Sequence, residues 1–241
     1  MKKLHSWNLT TKEAARVQSQ LASRVIREGK PTRVKAVAGA DLSPPDSKGL
    51  ARAAVVVLSY PGLEVLEVAT SSGKPAMPYI PGLLSFREAP IIIEAWKKLR
   101  TKPQLLIVDG QGVAHPRRFG VASHLGLWLD IPTVGCAKSV LVGKYDALAD
   151  ETGAAVPLVH KDEEIGKAVR SLKGHKPLYI SVGHKISLEQ AVRWILLLCR
   201  DNRLPEPIRL AHRAAGGHLQ EEVETESKVK IQRSKVRSWN R

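Results

Sequence analysis

Residues 104–110 read QLLIVDG, a short apolar segment that ends in an aspartate and a glycine, and this segment decides the fold. Consecutive apolar residues without polar alternation are typical of a strand that is buried on both faces of a sheet. Upstream, residues 86–100 place apolar side chains at helical spacing, and residues 119–129 predict a second helix. A buried strand between two helices indicates an α/β domain.

Three further strands precede this segment, and they are predicted from small and β-branched residues at 34–42, 51–59 and 63–70. Tyr60-Pro61-Gly62 separates the second from the third and predicts a type II turn in an antiparallel hairpin. The remaining predicted elements are a first helix with a Thr10–Glu13 capping box, strands at 132–136 and 177–182, and a helix at 187–203. The fold class is therefore α/β, with a mixed sheet: an antiparallel meander at one side and parallel strands at the other. We expect one domain over residues 1–220 and a frayed basic tail over 221–241.

The composition excludes several classes of protein. The chain has 241 residues, of which 43% are hydrophobic, so a core of ordinary size is available and wholesale disorder is excluded. The apolar runs are too short to cross a bilayer, and the N-terminus lacks the apolar run of a signal peptide. We therefore expect a cytoplasmic monomer. Cys136 and Cys199 lie far apart in apolar stretches, which favours two buried free thiols over a disulfide or a metal site.

The net charge of +15 favours a polyanionic partner, with nucleic acid first. Residues 1–35 alone carry nine Lys or Arg against two Glu. A basic surface that serves only solubility is the alternative, because charge argues for association and not for fold.

Acidic residues stand out in a chain this basic. Asp41 ends the first strand run and Asp109 ends the buried strand, so both are expected at the carboxyl edge of the sheet, where ligands of open α/β folds bind. If the two strands are neighbours, the carboxylates converge, and a pair of carboxylates with open water positions suits Mg²⁺. Glu88 is the candidate third acid. Alternatively, Ser85 and Glu88 form a capping box at the start of the helix.

Other polar residues near these acids carry little weight individually. They are His115, Lys138 and His212, and any one of them is more often solvated than catalytic. Gly110 and Gly112 do not make a dinucleotide fingerprint, since the third glycine and the immediate helix are missing. They are more consistent with close approach of a flat ring to the backbone.

Taken together, six segments resemble the endonuclease V family, the deoxyinosine-directed repair nucleases. They are GADLS, PYIPGLLSFREAP, LLIVDGQGVAHPRRFGVASHLG, PTVGCAKS, YISVGHKISL and LPEPIRLAH, and the similarity extends over about residues 10–215. Val182 replaces the proline of the family pattern, a departure that affects no candidate catalytic residue. The resemblance implies a ribonuclease H-like fold, DNA as partner and Mg²⁺ or Mn²⁺ as cofactor. It also implies hydrolysis of the second phosphodiester bond 3′ to deoxyinosine, leaving a 3′-hydroxyl and a 5′-phosphate.

The resemblance also implies roles for individual residues. Asp41 and Asp109 become metal ligands, with Glu88 the third acid, acting on the metal or through its water. Lys138 stabilises charge on the attacked phosphate, and His212 completes the metal side of the site. Tyr79 becomes the wedge that fills the space of an extruded base, and His115 lies near the pocket or the backbone. The base pocket would be lined by Gly82, Leu84, Gly110, Gly120, Val121, Gly135 and Ala137.

Two alternatives remain open at this point. The same chemistry directed at inosine in RNA is one, because the choice of RNA depends on contacts to 2′-hydroxyl groups that a sequence does not display. The other is a nucleic-acid-binding module without turnover, which the complete set of three acids, a lysine and a histidine argues against.

Overall fold

The structure, a computed structural model, describes residues 3–219, so the predicted tail at 221–241 lies outside the described residues. The described part contains five helices and eight strands. In chain order they are α1 (Thr11–Ala22), β1 (Ala36–Leu42), β2 (Ala51–Ser59), β3 (Val65–Gly73), α2 (Leu84–Lys97), β4 (Leu105–Val108), α3 (Val121–Leu129), β5 (Thr133–Ala137), β6 (Ala155–His160), β7 (Glu163–Val169), β8 (Leu178–His184), α4 (Leu188–Cys199) and α5 (Glu206–Ala215).

All eight strands form one mixed sheet in the order β3-β2-β1-β4-β5-β8-β7-β6. The strands β1, β4 and β5 run parallel to one another, and the other neighbouring pairs are antiparallel. The predicted α/β class with a mixed sheet is confirmed. The parallel centre fixes the site, because β1 and β4 end side by side at the same edge.

Helices cover both faces of this sheet. Along β4, Leu105 and Ile107 belong to a core that includes residues of α4 and α5, whereas Leu106 and Val108 belong to a second core with α2 and α3. This alternation is why the strand is apolar at every position, since neighbouring residues of a strand point to opposite faces. None of the helices within residues 3–219 is long and apolar enough to cross a membrane.

The first helix begins as predicted. Thr10 is the N-cap of α1: its side chain accepts from the Glu13 amide, and the Glu13 carboxylate accepts from the Thr10 amide at 2.8 Å. The two free cysteines, Cys136 and Cys199, are both buried, which also agrees with the expectation from the sequence.

The β2–β3 hairpin is confirmed, but the predicted type II turn is wrong. That turn needs a positive φ at Gly62, and the positive φ of 58° is at Leu63 instead. The Leu63 amide donates to the Ser59 carbonyl at 2.9 Å, so the connection is one residue wider than a β-turn. The Tyr60–Pro61 peptide bond is cis.

The predicted capping box of Ser85 and Glu88 is also wrong. The helix α2 begins at Leu84, so Ser85 lies inside it, and the N-cap Leu83 makes no side-chain cap hydrogen bond. The Ser85 hydroxyl is buried without a hydrogen-bond partner. Glu88 therefore does not cap the helix, although its spacing from Ser85 suggested that role. Three elements were not predicted at all, namely β6, β7 and α5.

Candidate active site

The two aspartates lie at the ends of adjacent parallel strands. Ala40 of β1 is paired with Val108 of β4, so Asp41 and Asp109 are the next residue on each strand. The Asp109 amide donates to the Ala40 carbonyl at 3.4 Å, which continues the ladder to the site. The predicted convergence of the two strand ends is therefore present in the fold.

Glu88 approaches the aspartates from the first turns of α2, which packs on β2 and β3. Burial, together with the charges of Asp41 and Asp109, raises the pKa of Glu88 to about 8. Burial and the charge of Asp109 also raise the pKa of Asp41, although the hydrogen bond from His212 partly opposes them. The raised pKa values of Glu88 and Asp41 favour a cation, or a proton, among the three carboxyl groups.

A lysine and a histidine lie against the aspartates. Lys138, which follows β5, places Nζ 2.5 Å from Asp109 Oδ2, and His212 of α5 places Nδ1 2.7 Å from Asp41 Oδ2. The side chains of Lys138 and His212 are more exposed than those of the aspartates that they contact. All five residues that we predicted to be catalytic, Asp41, Glu88, Asp109, Lys138 and His212, are thus linked at one edge of the sheet.

His212 reaches this edge because α5 packs unusually close to β1. A Cβ atom at Gly39 would lie 2.0 Å from the Pro207 carbonyl oxygen, so no larger residue fits between the strand and the helix. The close contact is five residues before His212 on the helix and two residues before Asp41 on the strand.

The side chains of the described residues are not arranged as a complete set of metal ligands. Among residues 3–219, no group of three or more His, Cys, Asp and Glu side chains is arranged so that it could hold a metal ion. The chemistry of the donors fits a hard cation, since oxygen ligands from carboxylates are the preference of Mg²⁺. The buried carboxyl group of Glu88 is the clearest indication of a cation site, because burial and the two neighbouring aspartates disfavour its ionisation without a cation.

A cavity of about 410 Å³ adjoins the acids, and Asp109 and Lys138 belong to its wall. Tyr79 borders it and is 67% exposed, between Pro78 and Pro81 of the preceding loop. Of the residues expected to form a base pocket, six line the cavity together with His115: Gly82, Leu84, Gly110, Gly120, Val121 and Ala137. Gly135 is not among the lining residues. It lies beneath the wall, where a Cβ atom would be 2.4 Å from the Gly112 amide nitrogen.

The wall at Gly82 is held by a hydrogen-bond network. Gly82 has a φ of 79°, and its carbonyl accepts from Arg117 Nη2 at 2.7 Å and from His115 Nε2 at 3.0 Å. The Arg117 amide donates to His115 Nδ1 at 3.1 Å, which leaves the hydrogen on Nε2. Burial lowers the pKa of His115 to about 4, so the ring is neutral at pH 7 and acts here as a hydrogen-bond partner within the wall.

Gln18 is a wall residue that the sequence analysis missed. It is fully buried on α1, its Nε2 donates to the Phe119 carbonyl at 3.0 Å, and its Oε1 accepts from Arg117 Nε at 2.6 Å. The signal was present in the sequence, because Gln18 interrupts the apolar stripe formed by Ala14 and Leu21. The other unpredicted lining residues are Ser85, Gln111, Ser139, Val140 and Leu141.

Comparisons with known proteins agree with this site. The family model described as Endonuclease V matches residues 19–213. An endonuclease V from Gloeobacter violaceus is 54% identical over 212 residues, which cover 87% of this chain and 86% of that protein.

Solved structures give the same answer. The endonuclease V of Streptomyces avermitilis superposes with a TM-score of 0.84 at 40% identity, covering 90% of this chain and 96% of that one. The Ciona intestinalis endonuclease V, in complex with a 24mer DNA containing an inosine followed by a ribo-adenosine, superposes with a TM-score of 0.74 at 31% identity. It covers 87% of this chain and 98% of that one.

Proposed function

Because this chain belongs to the endonuclease V family of nucleases, we propose that it is a DNA repair endonuclease that acts at deoxyinosine. The reaction is the hydrolysis of the second phosphodiester bond 3′ to the lesion, which leaves a 3′-hydroxyl and a 5′-phosphate. The observation that carries this proposal is the position of Asp41, Glu88 and Asp109, at one sheet edge beside a cavity that Tyr79 borders.

In this proposal the three carboxylates hold Mg²⁺, for which Mn²⁺ substitutes. When bound, such an ion lowers the pKa of a coordinated water and neutralises charge on the phosphate. Asp41 and Asp109 are the ligands that the strands provide directly. Glu88, whose carboxyl is kept protonated by burial and by its two neighbours, would be the third acid, placed to act on the ion or through its water.

Lys138 and His212 have different roles in this proposal, on the substrate side and on the metal side respectively. Lys138 Nζ, now against Asp109, is within reach of a phosphate that enters the cavity mouth, where it neutralises charge and orients the attacking water. His212 holds the Asp41 carboxylate in place through Nδ1. Their partners fix both side chains before the substrate arrives, so little rotamer freedom is lost on binding.

The cavity receives the everted base. Gly82, Gly110 and Gly120 line its wall, so main-chain groups there can pair with O6 and N1–H of hypoxanthine, whereas adenine carries the opposite donor and acceptor pattern at these positions. Eversion costs a few kcal/mol, less for a mispaired base. Tyr79, exposed at the rim, offsets part of the lost stacking as a wedge.

Inosine in RNA is the second substrate to test. The endonuclease V from Ciona intestinalis was solved with DNA in which a ribo-adenosine follows the inosine. Matched deoxyinosine and riboinosine oligonucleotides therefore belong in the same assay.

A nicking assay tests the proposal. Labelled deoxyinosine duplex incubated with the protein and Mg²⁺ should give one nick, which EDTA abolishes. We expect Asp109→Asn to lower the rate by a factor on the order of a thousand, because it removes a charged ligand. Asp201→Asn, at an exposed aspartate that follows α4, is the matched control and should cleave normally. Unchanged cleavage by Asp109→Asn contradicts the assignment, and binding without nicking at every metal concentration supports the non-catalytic alternative.

A further inference from the structure

A second cleft lies away from the catalytic cavity and shares no lining residue with it. It has a volume of about 220 Å³, and its main wall residues are Lys30, Arg33, Tyr60, Gln190, Arg193 and Trp194. The loop between α1 and β1 forms one side, and α4 forms the other.

The cleft is at the edge of the sheet opposite the acids. Val34, in its wall, precedes the amino end of β1, whereas Asp41 lies near the carboxyl end of the same strand. The seven steps along the chain from residue 34 to residue 41 correspond to about 23 Å at about 3.3 Å per residue. A group bound in the cleft therefore does not touch the catalytic residues.

The charges of the cleft are uncompensated. Lys30, Arg33 and Arg193 are exposed, no acidic residue lines the cleft, and these three side chains have no hydrogen-bond or ion-pair partner in the part of the chain that the structure describes. Arg27 and Arg118, by contrast, both contact the carboxylate of Glu163. Two basic residues of the segment 1–35, Lys30 and Arg33, thus lie in this cleft and not in the catalytic site.

An aromatic wall accompanies the charges. The partly exposed Tyr60 ring presents this wall, and the buried Trp194 ring, 8% exposed, supports it from the core side with centroids 4.9 Å apart at 60°. Cationic groups that bind phosphate next to aromatic rings on which a base can stack are the combination that single-stranded nucleic acid requires. The guanidinium groups of Arg33 and Arg193 match the oxygen geometry of a phosphate. The small volume suits one nucleotide unit and not a duplex.

We propose that this cleft is a second nucleic-acid site, which binds a phosphate and its nucleoside in an unpaired segment other than the one in the catalytic cavity. The proposal rests on the proposed function only in that the substrate is a nucleic acid. It gives the enzyme a contact with single-stranded regions that is independent of inosine.

The test measures binding without catalysis. A fluorescent oligothymidylate, which contains no inosine, is titrated in EDTA against the wild type and the double variant Arg33→Ala/Arg193→Ala. We expect about a tenfold loss of affinity and a salt dependence that is shallower by roughly 1.4, because two phosphate contacts disappear. The control, Arg24→Ala/Lys102→Ala, removes two charges from exposed residues outside the cleft and should retain most of the affinity. Equal affinity in the cleft variant and the control overturns the proposal.

Two further measurements separate the possible outcomes. Tyr60→Leu should lower the affinity for oligothymidylate several-fold if a base stacks on the partly exposed ring, and an unchanged affinity contradicts the site. Inorganic phosphate and thymidine monophosphate are added as competitors: weak competition supports a polymer ligand, and competition at the affinity of the oligomer overturns it in favour of a free nucleotide or anion. Nicking of a deoxyinosine duplex by the same variants is scored separately, so failure of the proposed function does not alter this result.

Discussion

At the scale of single residues, the acids show the conflict between a stable fold and a charged site. Burial and two neighbouring carboxylates raise the pKa of Glu88 to about 8. In an unfolded chain, the same group ionises near 4.5. Folding therefore disfavours the charged form of Glu88, and stability falls as the pH rises from about 4.5 towards 8.

Replacing Glu88 by glutamine removes this penalty. In EDTA at a pH of about 8.5, we expect Glu88→Gln to be more stable than the wild type by an amount on the order of 2 kcal/mol, while nicking is lost. Denaturant unfolding measures the difference. Glu94→Gln, at an exposed position of the same helix, is the control and should change stability little. A metal-free variant no more stable than the wild type would contradict the electrostatic origin of the pKa shift.

At the scale of elements, the closeness of α5 to β1 positions His212, and Gly39 permits it. We expect Gly39→Ala to force the helix outwards, which costs about 1–3 kcal/mol of stability and lowers nicking more than substrate binding. Gly73→Ala, in β3 of the same sheet, is the control, since its Cβ atom would meet only the Ile91 side chain at 3.6 Å or more. Thermal melts and nicking rates of the two variants are compared. Normal activity in Gly39→Ala would show that the helix position is not critical.

The elements also show what the sequence can and cannot predict. The convergence of Asp41 and Asp109 was predictable, because consecutive apolar residues identify buried parallel strands whose ends share one edge. The helix α5 was missed since Pro205 and Pro207 suggest a loop, although proline is tolerated in the first turn of a helix. The strands β6 and β7 were missed because Pro157 interrupts the first, and charged residues and Gly166 dilute the pattern of the second.

The site residues likewise include some that the sequence could predict and some that it could not. Tyr79, Gly82 and Lys138 stand in motifs that the family resemblance carries, and they lie beside the cavity. Gln18 stands in no such motif, and its burial follows from the packing of α1 against the loop that contains Arg117. The interrupted apolar stripe of α1 marks Gln18 as unusual, but it does not identify Arg117, 99 positions away, as its partner.

At the scale of the whole molecule, the N-terminal segment is joined to the core by aromatic rings. His5 Nε2 lies 2.7 Å from Nε2 of the buried His124, and Trp7 stacks on Trp128 at 5.1 Å. Burial lowers the pKa of His124 well below 6.5, and the charge of His5 lowers it further. Only one hydrogen can lie between the two nitrogens, so a second proton breaks the contact.

Acid should therefore destabilise this junction. The unfolded chain binds a proton at His124 near pH 6.5 while the folded chain does not, so stability is present above that pH and is lost below it. We expect His124 to contribute a loss of about 2 kcal/mol between a pH of about 7.5 and about 5. The buried His115, whose pKa is also lowered, adds to the total loss, which denaturant unfolding and tryptophan fluorescence measure. His175→Gln, at an exposed histidine, is the control and should show the same loss as the wild type. Stability that stays constant over this range would contradict the burial of an unprotonated pair.

Asp41 and His212 meet in space although 171 positions separate them in the chain. During synthesis on the ribosome, Asp41 is made early. The helix that supplies its partner is made only after most of the chain has been translated. A copy whose translation stops before residue 206 lacks this helix altogether, so an unfinished chain cannot form the contact between Asp41 and His212.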